Sequence, residues 1–145
     1  MWQRGWGEAM GELRDASITA RRAADVLLRC AGGRAVLLRM PAPASAGDTT
    51  EQLGLAVPEF QDVELAPVAL ERGNGTTRTM LVSANAVNAM VGSMGFSAAS
   101  VLFANAFGVL VDGVLMEVES VTETELGGAP YIYRLVLREP VALLV

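Results

Sequence analysis

The amino-acid sequence predicts an α+β fold: a small antiparallel β-barrel or sandwich with an N-terminal helix, a long loop or arm and a short helical insert. Three observations lead there. The apolar runs of VLVDGVLMEVESV (109–121) meet across Asp112-Gly113, a pair that tolerates the positive φ of a tight hairpin. DVELAPVALER and RTMLVS flank the turn GNGTT (73–77) in the same way. By contrast, TARRAADVLLR (19–29) has good helix formers, with Ala20, Ala23, Ala24 and Leu27 at helical spacing.

The elements follow in order within a single domain, 1–145, long enough to bury roughly two thirds of its unfolded surface. The N-terminal segment 1–18 holds a weaker helical stretch, Gly7 to Asp15, interrupted by Gly11; Trp2 and Trp6 read as packing anchors, against a neighbouring subunit or this one. Ser17 or Thr19 is placed to cap the helix at 19–29, and Gly32-Gly33 to end it. RAVLLRM (34–40) reads as a strand, although VLLR and RAVLLR could also pair with each other as a hairpin. Residues 41–61, PAPASAGDTTEQLGLAVPEFQ, form an arm or loop longer than a compact domain needs. Its apolar side chains Leu53, Leu55, Val57 and Phe60 have no evident core of their own and are the candidate partner contacts.

Strands are expected at 62–72, where Pro67 implies an edge or a bulge, and at 78–83. The insert 84–106 divides at Gly92 to Gly95 into two short helices, the first capped by Ser83 or Asn85 and the second by Ser97. Its interspersed Asn, Ser and Gly suit packed helices better than a bilayer span. The chain closes as a three-stranded meander, with strands at 114–121 and 131–138, a loop over 122–130, and Pro140 as a stop.

Composition excludes much chemistry. There is no histidine and no lysine, so neither a Ser-His triad nor a Ser-Lys dyad can be built from Ser83, Ser97 or Ser100. The lone Cys30 forms no intrachain disulfide and is expected as a buried thiol. The glycine pairs lack the residues of a phosphate-binding loop, and Asp112-Gly113 lacks the oxygen-rich series of a calcium loop. Met80, Met90, Met94 and Met116 read as core filler. No catalytic, metal or cofactor-binding residues are assigned, and a non-enzymatic protein is expected.

Glu117 and Glu119 share one strand face, and Arg134 and Arg138 share a face of the next strand. Cross-strand or intersubunit ion pairs are the expected role of all four. The arginines Arg21, Arg22, Arg29, Arg34 and Arg39 come early and acids prevail later, a distribution suited to head-to-tail contacts or to ordinary scattered charge. The net charge of −5 gives no basic footprint for nucleic acid. The start, MWQRGWGEAMGELRD, has no continuous apolar core of the signal-peptide kind, and a cytoplasmic product is expected.

A helix ending in Leu-Leu-Arg and glycines, RAVLLRMP, a polar arm, DVELAPVALER and the terminal VDGVLMEVESVTETELGGAPYIYRLVLRE together resemble the head-closure, or stopper, family among the neck proteins of tailed bacteriophages. The resemblance spans Thr19 to Glu139 and lies in the order of elements. It departs at Ser83 to Ala106, which is an insertion or the mark of another neck component, an adaptor or tail terminator. It implies a structural virion protein that forms a homo-oligomeric ring between the portal or adaptor and the tail proteins. DNA would pass through that ring without sequence-specific binding, and no membrane or cofactor is involved. A tail-tube subunit or other non-enzymatic oligomeric module is the alternative.

Overall fold

The computed structural model describes residues 6–42, 59–73 and 75–140. Helix α1 (Trp6–Cys30) leads into β1 (Arg34–Pro41), β2 (Phe60–Arg72) and β3 (Thr77–Ser83). Two helices, α2 (Ala84–Met94) and α3 (Ala99–Asn105), precede the meander β4 (Gly108–Val111), β5 (Val114–Leu126) and β6 (Ala129–Arg138). The strands close into a six-stranded antiparallel barrel in the order β1-β2-β3-β6-β5-β4. Closure rests on a short seam in which Leu37, Leu38 and Arg39 pair with Leu110, Val109 and Gly108.

Alternation builds the core. Val36, Leu38 and Met40 of β1, Met80 and Val82 of β3, and Tyr133, Leu135 and Leu137 of β6 turn the same way and are buried. The helical insert completes this core: Ala84, Val87 and Met90 of α2 and Leu102 and Phe103 of α3 belong to the same cluster. The four methionines behave as filler, with Met80, Met90 and Met116 buried and Met94 packed against them. No single helix among the described residues is long and apolar enough to cross a membrane, and α2 and α3 are bent 72° from each other.

Several boundaries differ from expectation. The two N-terminal helical stretches are one 25-residue helix. Thr19 does not cap it; it lies inside the helix, where its Oγ1 donates to the carbonyl of Asp15 four residues back. Cys30 is exposed at the end of α1 rather than buried. Ser83, not Asn85, caps α2, accepting from the Ala86 amide, while Gly95 closes that helix at φ 74°. Ala98 rather than Ser97 precedes α3, with no side-chain cap. Most of the expected loop 122–130 is strand: β5 runs on to Leu126 and turns at Gly127-Gly128 into Ala129.

Pro67 marks a bulge. Arg34 pairs with Val68 and Val36 with Leu65, so β2 carries one more residue than β1 across this step. The expected Asp-Gly hairpin is present, with Asp112 and Gly113 at φ 50° and 82° between the paired Val111 and Val114.

Candidate functional site

The arm is the first candidate. Its ends belong to the barrel: Pro41 pairs with Phe60, the Ala42 amide donates to the Glu59 carbonyl at 3.0 Å, and Gln61 Nε2 donates to the Pro41 carbonyl at 3.3 Å. The long connection between β1 and β2 thus leaves from a hydrogen-bonded base. Leu53, Leu55 and Val57 lie outside the described residues, as do Trp2 and the side chain of Trp6. Phe60 lies at the base itself, exposed, with the Arg39 guanidinium 4.0 Å from its ring centroid.

Arg39 is fixed there by a two-pronged contact, Nε to Oδ1 of Asp62 at 2.9 Å and Nη2 to Oδ2 at 3.1 Å. The hydrogen bonds from Arg39 hold the Asp62 carboxyl below its ordinary pKa, and the same contact raises that of Arg39. Cross-strand register makes the contact possible, because Arg39 and Asp62 are directly paired residues of β1 and β2.

The second candidate is the acidic and basic ladder of β5 and β6. Glu117 is in register with Arg138, while Glu119 is the extra residue of a bulge between Val118 and Ser120. The bulge turns Glu119 toward Arg138, whose Nη2 donates to Oε1 at 2.7 Å. Arg134 is not brought to either glutamate; it is opposite Thr122 and has no ion pair among the described residues. Three of the early arginines are also engaged within the chain: Arg29 with Asp25, Arg34 with Asp112 and Arg39 with Asp62. That leaves Arg22, exposed on α1, and Arg21, half-buried with its Nε buried and without a hydrogen-bond partner among the described residues.

Among the described residues the surface also carries concavities, two of them larger than a third that lies between β2 and α2. An apolar groove of about 680 Å³ runs between α1 and the outer face of β2, β3 and β6, with Ala23, Leu27, Ala69, Leu81 and Ile132 among its walls. Leu27 is 68% exposed and Val26 56%. A second cavity, about 470 Å³, opens between α3 and β5. Its acids are Glu119, already paired with Arg138, and Glu123; Glu123 was not legible as a site residue, because the segment TETEL read as loop.

Among the described residues no group of three or more Asp, Glu or Cys side chains is arranged to hold a metal. Comparison with protein-family models, with curated proteins and with solved structures returned no match.

Proposed function

We propose that this chain is a structural, non-enzymatic subunit of a tailed-phage neck, joining head to tail as one member of a ring around the DNA channel. The observation that carries this reading is a closed barrel whose long β1–β2 connection begins and ends at a hydrogen-bonded base. Every strand has two neighbours, but β5 pairs with β4 only over Val114–Met116, so one side of its 117–126 stretch is without a partner strand among the described residues. Contacts with other subunits are then expected at that edge, at the β1–β2 connection, at the exposed apolar rim of α1 and at the charged face of β5. The order of elements that resembles stopper proteins supports the same reading. An overall charge of −5 favours passage of DNA over its retention.

Deleting Asp48 to Pro58 tests it. The expected product is a folded barrel that no longer supports joining of heads to tails. An unfolded product would assign the arm to the core instead. Copy number separates the neck from a tail tube, because a neck protein occurs as one ring in each particle and a tube protein as many.

A further inference from the structure

We propose that the free edge of β5 receives an extended strand from a different protein, one that carries basic side chains at alternate positions. The site begins where β4 ends. β5 pairs with β4 only over Val114 to Met116 but with β6 as far as Leu126, so beyond Met116 one side of β5 has no partner strand among the described residues. After the bulge at Glu119, pairing with β6 is regular from Ser120 to Thr124, which keeps the edge extended. Alternate residues of such a strand point their N–H and C=O groups away from β6, and an added strand can pair with those groups as a sheet neighbour would.

The surroundings leave room for that strand. A cavity of about 470 Å³ lies beside the edge, with Ser100, Phe103 and Ala104 of α3 on its far side and Val121 and Glu123 of β5 on the near side. Val121 is 37% exposed, and an apolar side chain placed opposite it would cover it.

Glu123 and Glu125 select the occupant. They are two residues apart on one face of β5. Hydrogen bonding between the two carboxyls raises the pKa of Glu123, and the charge of Glu125 adds to it. Burial, then the charges of both glutamates, raises the pKa of Tyr133 on the neighbouring strand. Glu119 is already paired with Arg138, whereas neither Glu123 nor Glu125 has an ion pair among the described residues. Basic side chains two residues apart on the incoming strand would meet both.

This chain does not supply such a strand. Two β5 edges pairing antiparallel bring both pairs of glutamates onto one face of the joined sheet, where like charges are destabilising. The chain has no lysine or histidine, no two of its arginines are two residues apart, and residues 41–61 contain no arginine at all. The occupant is therefore a different protein, and the surface stands on β5 whether or not the chain assembles as a ring.

The test is fluorescence anisotropy of the labelled peptide acetyl-Thr-Arg-Thr-Arg-Thr-Val-Thr-amide, titrated with the full chain. Saturable binding is expected, and the same peptide with glutamate in place of arginine should not bind. Two further forms are N-methylated at alternate residues, one at the arginines and valine, the other at the threonines. One should bind like the parent and the other at least about tenfold more weakly, since only every second amide faces the β5 edge. The double variant Glu123→Gln, Glu125→Gln should weaken binding about fivefold, the effect of two exposed ion pairs. Both substitutions keep the shape of the side chain, and thermal melts report folding separately. Hydrogen exchange should show added protection within residues 120–126. Absence of saturable binding, the same response from both N-methylated forms, undiminished binding by the double variant, or protection confined to other strands overturns the proposal. Protection of 120–126 that rises with the concentration of the chain alone would give the edge to a second copy and overturn its assignment to a different protein.

Discussion

Ser83 and Asp25, 58 positions apart in sequence, are joined by a hydrogen bond of 2.9 Å from the serine hydroxyl to Oδ1. The same serine oxygen accepts from the Ala86 amide and so caps α2, while the other Asp25 oxygen accepts from Arg29. One fully buried hydroxyl therefore fastens α1 to the point where the barrel passes into its helical insert. Ser83→Ala removes a cap and a buried bond together, and a loss of about 1–2 kcal/mol in unfolding free energy is expected by urea titration. A change within error would mean that water replaces both interactions.

Asp25 gives this junction a pH dependence. The hydrogen bond from Arg29, opposed by partial burial and helped by Ser83, sets its folded-state pKa below the ordinary 3.8. A lowered carboxylate pKa contributes stability that is complete above that ordinary value and is lost as pH falls through the folded one. Below pH 3.8 the wild type should lose stability more steeply than Asp25→Asn. Parallel acid melting curves would show that Asp25 does not carry the effect.

Gly108 begins β4 at the seam of the barrel, and a Cβ there would lie 2.5 Å from the Met116 carbonyl oxygen. That oxygen is backbone and cannot swing aside. Gly108→Ala should therefore separate β4 from β5 and cost about 1–3 kcal/mol, with the amides of Leu38 and Val109 losing protection first. Leu38→Ala, at a fully buried position of β1, is expected to cost about 2–5 kcal/mol as a reference for loss of core volume.

The Glu119 and Arg138 contact is short but half exposed, with side chains 39% and 50% accessible. A double-mutant cycle between Glu119→Gln and Arg138→Gln should give a coupling of about 0.2–1 kcal/mol in the monomer. A much larger coupling that appears only at concentrations where subunits associate would place this pair inside an interface.

What was legible in the sequence follows from how local each signal is. Asp112-Gly113, Ser83 and Gly32-Gly33 declare themselves because their chemistry acts within a few residues. α1 was underestimated, since Gly11 lowers propensity and the remedy, continuity with a face packed on β3 and β6, is tertiary. The bulges were read only at Pro67. The one at Glu119 depends on a partner strand, yet it decides that Arg138 rather than Arg134 meets the glutamate. Barrel closure itself has no sequence signature, as it rests on three residue pairs between β1 and β4.

That seam has a kinetic consequence. Its partners are about 70 positions apart, farther than those of any other strand pair in the barrel, so their meeting carries the largest loop-closure entropy and is expected last during folding. Until then the chain is an open sheet with β1 and β4 as bare edges, able to pair with the same edges of another newly made chain. Yield at high expression would then depend less on the stability of the finished barrel than on how quickly three residue pairs find each other.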